Sequence, residues 1–188
     1  MLYLIDANVL ITAHNLYYPL NRVPEFWSWL AHMAEQGRIK MPLEIYEEIK
    51  DGSTDARRDL LYGWITEPGR KAALVLNEEA EVELVRRVLG EGYAPDLTEA
   101  EVEDIGADPF LIASALADRE GRCVVTTEAS KVTATRQNRR IPDVCKRFNV
   151  KCIDTFALVR ALDFRTSWSP GAGGAAPASN ASNRSRGR

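Results

Sequence analysis

A chain of 188 residues, 45% of them hydrophobic, can bury one substantial core, and it has no run near the ~20 apolar residues needed to cross a bilayer. The formal charge of −3 gives no bulk electrostatic signal for nucleic acid, and three cysteines without C-x-x-C spacing argue against a disulfide framework and a zinc site. With no positively charged leader before the first apolar run, nothing directs export; a cytoplasmic location is expected, with Cys123, Cys145 and Cys152 as reduced thiols in the core.

The chain opens on MLYLIDANVL. Leu2 to Ile5 has the character of a buried parallel strand, and it stops at Asp6 and Asn8 before a second apolar run that starts a helix. Asp6 therefore stands at a strand's C-terminal end, the edge where open α/β sheets bind ligands, although an aspartate there can also serve only as a helix cap. Tyr17 to Val23, with Pro19 and Asn21, reads as a loop or lid. Pro24 opens a helix through Gln36 whose Phe26, Trp29, Leu30 and Met33 form one apolar face, and Gly37 stops it. His14 and His32 have no companion ligands nearby and receive no catalytic role.

Ile39 to Met41 is a short strand, and Pro42 starts the next helix. Within it Ile45, Tyr46 and Ile49 mark the buried face; at about 100° per residue Glu48 lies nearest that face, Glu44 further round, and Glu47 points away. A helix is expected over Asp55 to Ile65, strand or helix over Ala72 to Leu76, an amphipathic helix over Glu78 to Leu89 and a loop over Gly90 to Pro95. Thr98 and Glu101 have capping-box spacing. Asp108-Pro109 begins a strong helix, with Asp108 as the N-cap and Leu111, Ile112, Ala115 and Leu116 as its stripe. Arg122 to Thr127 is a second buried strand ending at Thr126, Thr127 and Glu128. Ile141 to Phe148 is a helix, Val150 to Ile153 a third strand ending at Asp154, and Phe156 to Leu162 the last helix. Strands alternating with helices imply a parallel sheet with right-handed crossovers. Residues 1–163 make one domain, and 164–188 are expected to be a disordered Gly/Ala/Ser/Arg-rich tail.

Charge is unevenly spread. From Glu78 to Asp104 there are ten acids and two bases, whereas Lys131 to Lys151 carries seven bases against one acid, Asp143, which suggests two faces with different partners. Asp6, Glu48, Asp108 and Glu128 all stand at element ends or inward helix faces. Clustered carboxylates repel unless something positive sits among them, and oxygen ligation points to Mg²⁺ or Mn²⁺, an ion suited to hydrolysis at phosphorus.

These segments, LIDANVL, PLEIYEEI, ADPFLIASA and VVTTE, together with RRIPDVCKRFNVKCIDTFALV, resemble the PIN-domain ribonucleases, and the end of the domain is similar to one prokaryotic PIN subfamily. The resemblance covers about residues 1–163. It implies a three-layer α/β/α sandwich with an acidic pocket at the C-terminal edge of a parallel sheet. It also implies metal ligation by Asp6 and Asp108, with Glu48 on the metal or its water. Glu128 would be the fourth acid, in place of a more frequent Asp, and Asn8 and Thr126 polar supports behind them. Glu47 and Asp104 are the neighbouring acids most easily confused with these.

The implied activity is that of a metal-dependent endoribonuclease leaving a 5′-phosphate and a 3′-hydroxyl, with Lys131, Arg136, Arg139 and Arg140 as candidate holders of the RNA backbone. Small prokaryotic PIN domains are often toxins held by an antitoxin, and they commonly dimerise, so an antitoxin and a homodimer are expected partners and a membrane is not. A haloacid-dehalogenase phosphatase would carry a second Asp where this chain has Asn8, and a response-regulator receiver would need a phosphoacceptor Asp on a middle strand that is missing here. The stronger alternative is a non-catalytic PIN-like module that binds RNA or protein.

Overall fold

The computed structural model describes residues 1–52 and 59–170. β1 (Leu2–Ile5) leads into α1 (Ala7–Thr12), which widens into a π-helical turn over Ala13–Tyr17. Then come α2 (Pro24–Glu35), β2 (Ile39–Lys40), α3 (Leu43–Asp51), α4 (Leu60–Ile65), α5 (Arg70–Leu74) and α6 (Val82–Arg87). A second π-helical turn, Val88–Tyr93, precedes α7 (Glu99–Ile105) and α8 (Asp108–Ala117). β3 (Arg122–Val125), a 3₁₀ turn at Arg136–Asn138, α9 (Ile141–Arg147), β4 (Lys151–Ile153) and α10 (Thr155–Ala161) complete the order.

The strands form one all-parallel sheet in the order β2-β1-β3-β4, flanked by helices as a three-layer α/β/α sandwich. Leu4 and Ile5 of β1 and Val124 and Val125 of β3 are fully buried, as a parallel strand covered on both faces requires. The register pairs Ile5 with Val125 and Val125 with Ile153, so three strands end level with one another. Beyond them Asp6 N–H donates to Val125 O and Thr126 N–H to Ile153 O, at 3.0 and 3.1 Å. Asp6 and Thr126 are thereby fixed side by side at one edge.

Phe26, Trp29 and Leu30 of α2 are buried as the periodicity requires, and Trp27 is buried too, outside that stripe. Its indole donates to Tyr18 O at 2.7 Å, and the Tyr18 ring stacks on Phe26 at 4.3 Å. The Tyr17–Val23 segment is thus pinned to the aromatic core rather than hung over the sheet edge. Phe164 packs edge-on against Phe26, and Trp168 lies 5.5 Å from the His32 ring. The rest of the expected tail, 171–188, lies outside the described residues. Cys123 and Cys145 are buried free thiols and Cys152 is half-buried. Among the described residues no helix is long and apolar enough to cross a membrane.

Several element ends differ from the sequence reading. α4 runs from Leu60, where the Asp59 carboxylate accepts the N–H groups of Leu61 and Tyr62; residues 55–58, over which that helix is also expected, lie outside the described residues. The ambiguous 72–76 stretch resolves into α5 and a parallel bridge from Val75 to Met41. Most of the expected Gly90–Pro95 loop belongs to the second π turn, closed by Ala94 N–H donating to Leu89 O at 3.1 Å. Gly92 brings that turn against α9. A Cβ there would lie 2.7 Å from Val144 Cγ1 and 3.0 Å from Phe148 Cε2. Because a β-branched side chain and a buried ring have little room to yield, Gly92→Ala is expected to cost about 1–3 kcal/mol. Thermal denaturation checks this; the melting temperature should fall by about 3–10 °C.

Candidate active site

Asp6 leaves β1 at the N-cap position of α1, yet its side chain serves the sheet edge rather than the helix: Asp6 Oδ2 accepts from Thr126 Oγ1 at 2.9 Å. Thr126 Oγ1 in turn accepts Glu128 N–H at 3.2 Å, so one buried hydroxyl ties the first acid to the backbone of the fourth. Asp6 is 2% exposed, and its pKa is raised, first by burial and then by the nearby Glu128; the Thr126 bond and the backbone of Asn8 and Ala7 oppose the rise.

Asp108 corrects the sequence reading. The N-cap of α8 is Ala107, and Asp108 is the first helical residue. Instead of capping, its Oδ2 accepts from the Tyr93 hydroxyl at 3.4 Å, so the second π turn delivers a tyrosine to an acid 15 residues away. The Asp108 carboxyl is pushed up from 3.8 to about 8 by burial and then by Asp6, Glu128 and Glu48, with the Tyr93 bond opposing. The same surroundings push the Tyr93 hydroxyl up, burial first and Asp108 next.

Glu48 on α3 is reached by solvent, but the walls beside it and Asp6 raise its pKa. Glu47, one residue earlier, is engaged elsewhere by Lys50 and Lys71 at 2.7 and 2.8 Å. The two neighbours thus face different surroundings, Glu48 the other acids and Glu47 two lysines. Glu128 has both oxygens committed, one to Arg140 Nη1 and the other to the Ile141 N–H at the start of α9, each at 2.8 Å.

A cleft of about 420 Å³ opens here, lined by Asn8, Glu48, Asp108 and Glu128, by Asp104 to Ala107 and by Gln137 to Arg140. Asp104, set aside on sequence as a look-alike, belongs to its rim. Of the expected RNA-binding cations, Arg139 and Arg140 reach the cleft, but both are also bound: Arg140 to Glu128, and Arg139 Nη1 to Gly92 O. Arg136 points into the acidic segment, bonding Glu101 and Asp96, so the two oppositely charged stretches are in part each other's partner. Lys131 is exposed, and its backbone N–H donates to Asp143 at 2.7 Å. Tyr93, Gln137 and Asn138 had no periodic or motif signal to mark them in advance.

The donor set is all oxygen, with Asp6, Glu48 and Asp108 keeping carboxylate oxygens available once Glu128 is spent on Arg140 and Ile141. Such a set suits a hard divalent cation. Among the described residues no three His, Cys, Asp or Glu side chains already stand in a ligating arrangement; the acids share one field without a closed shell.

A family model described as a domain of unknown function (DUF4411) matches residues 3–166. No curated protein and no solved structure matches the chain.

A carboxyl that ionises less readily folded than unfolded withdraws stability as pH rises between its two values, here from about 4 to about 8 for Asp108. Asp108→Asn removes that loss. In chelator, the variant should approach the parent near pH 4 and exceed it by on the order of a few kcal/mol at pH 8, read by denaturant unfolding at both pH values.

Proposed function

The chain belongs to the DUF4411 family, and we propose that it is a metal-dependent ribonuclease hydrolysing RNA phosphodiester bonds in the acidic cleft. The observation that carries this reading is the mutual field of Asp6, Glu48, Asp108 and Glu128, four acids from distant segments meeting at the C-terminal edge of a parallel sheet. Burying carboxylates together is costly, and a site that does so without neutralising each one by a fixed base is built to receive a mobile positive charge. The sequence resemblance to PIN-domain nucleases points to the same chemistry.

Asp6 and Asp108 would hold Mg²⁺ or Mn²⁺, with Glu48 contacting it or orienting its water. When bound, the ion supplies a lowered water pKa and offsets charge on the phosphate. Thr126 holds Asp6 in one rotamer, and Tyr93 does the same for Asp108. Glu128 is a positioning residue, since its oxygens fix Arg140 and the first turn of α9. Arg139 and Arg140 put positive charge on the rim of a pocket that would otherwise repel a polyanion.

A second reading, a non-catalytic module that binds RNA or protein, is favoured by the commitment of Glu128 to Arg140. The two separate on cleavage. The ribonuclease reading expects RNA hydrolysis in Mg²⁺ or Mn²⁺ that chelator stops and that Asp6→Asn lowers by on the order of a hundredfold or more, about 2.7 kcal/mol of barrier. Chelator-resistant cleavage in that variant contradicts it.

Because Asp108 holds a proton near neutral pH, Mn²⁺ binding at pH 7 should release about one proton. Calorimetric titration in buffers of differing ionisation enthalpy reads this release, and Asp108→Asn should abolish it. Thr126→Val should weaken Mn²⁺ binding by about tenfold in the same titration.

A further inference from the structure

One wall of the cleft is a turn that the rest of the molecule holds with unusual thoroughness. Arg136 opens it with φ of 52°, a left-handed conformation that side chains other than glycine disfavour. Its guanidinium makes four hydrogen bonds: Nε to Glu101 Oε1 at 2.6 Å, Nη2 to Glu101 Oε2 at 2.8 Å, Nη1 to Asp96 Oδ1 at 2.7 Å, and Nη2 to Asp96 O at 3.0 Å. Glu101 is itself fixed, because the same Oε2 closes the capping box with Thr98 N–H at 2.9 Å. Arg136 holds the Glu101 carboxyl down to about 2, so the pair stays ionised through the working pH range. At the other end Arg139 is bonded to Gly92 O and Arg140 to Glu128.

Between these anchors stand Gln137 and Asn138. Both line the cleft, Gln137 half-buried and Asn138 exposed, and among the described residues no protein hydrogen bond engages either side-chain amide. A solvated surface turn has no need of so many bonds, whereas a turn that must present two amides at a fixed place does. Amide side chains bond base edges in pairs, and unpaired RNA bases expose those edges. We propose that the Arg136–Arg140 turn is the specificity wall of the cleft. Arg136 is a positioning residue that locks the turn, and the amides of Gln137 and Asn138 bond the edge of an unpaired nucleobase beside the phosphate.

This rests on the reading of the cleft as an RNA site, and the test separates the two. Full-length protein is titrated in Mg²⁺ with phosphorothioate-linked single-stranded RNAs of roughly ten nucleotides, one for each base, by fluorescence anisotropy. The parent should prefer one base by about tenfold, and the double variant Gln137→Ala, Asn138→Ala should bind all four within about threefold of one another. Arg136→Gln should flatten the preference in the same way and speed amide hydrogen exchange across residues 126–140 only, with Arg136→Lys intermediate in both. A circular dichroism melt of each variant ensures that a loss of global fold is not read as loss of the clamp.

Equal binding of all four bases by the parent, a preference that survives loss of both amides, or unchanged exchange in Arg136→Gln overturns the inference. No RNA binding by the parent overturns it together with the ribonuclease reading. Base-selective binding without metal-dependent cleavage upholds this inference and removes only the hydrolytic step.

Discussion

Repulsion between carboxylates that the fold forces together is the constraint around which the rest of this structure is arranged. Asp6 is buried and Asp108 half-buried; Glu128 raises the cost of ionising Asp6, and Asp6 and Glu128 both raise the cost of ionising Asp108. Only a rigid frame can hold two such groups against that cost, and the parallel sheet supplies one. β1, β3 and β4 end level, backbone bonds carry the pairing past the strands to Asp6 and Thr126, and fully buried Leu4, Ile5, Val124 and Val125 anchor the ends. α8 packs on β1 and β3 through an apolar stripe and presents Asp108 from its first turn. The hydrophobic core behind the acids offsets the cost of holding them together.

The cleft's outer walls follow a different logic. The second π turn with α7, and the stretch from Glu128 to Arg140, hardly contribute to the sheet; they meet each other through polar bonds. Arg136 joins Glu101 and Asp96, Arg139 joins Gly92, and Tyr93 crosses to Asp108. Opposite charges that on sequence suggest two separate faces are in part spent on closing one rim. What is left to face a ligand is a small, chosen set: the acids on one side, two arginines and two amides on the other.

Much of this was legible in the sequence because local chemistry and global fold agree. The buried strands announce themselves by short apolar runs with aromatic and β-branched residues, and helical geometry alone distinguishes Glu48 from Glu47. The capping box of Thr98 and Glu101 is present as its spacing implies. Misread were features set by tertiary contact. Asp108 followed by Pro109 has ideal cap chemistry, but Ala107 takes the cap position and Asp108 turns to Tyr93. Neither π turn has a periodic signature, since each depends on what the widened turn packs against, Tyr18 on Phe26 in one and Gly92 on α9 in the other. On sequence Arg136 is a candidate holder of the RNA backbone, and no local pattern points to the partners it has, 35 and 40 residues upstream.

The proposed activity turns on charge, on whether Asp6, Glu48 and Asp108 take a divalent cation at the cleft. Anomalous diffraction at the manganese edge from crystals grown in Mn²⁺ tests it most directly. The predicted result is a peak bonded to carboxylate oxygens of Asp6 and Asp108, with Glu48 on the ion or on its water. A cleft without a peak in crystals that hold manganese elsewhere would contradict it.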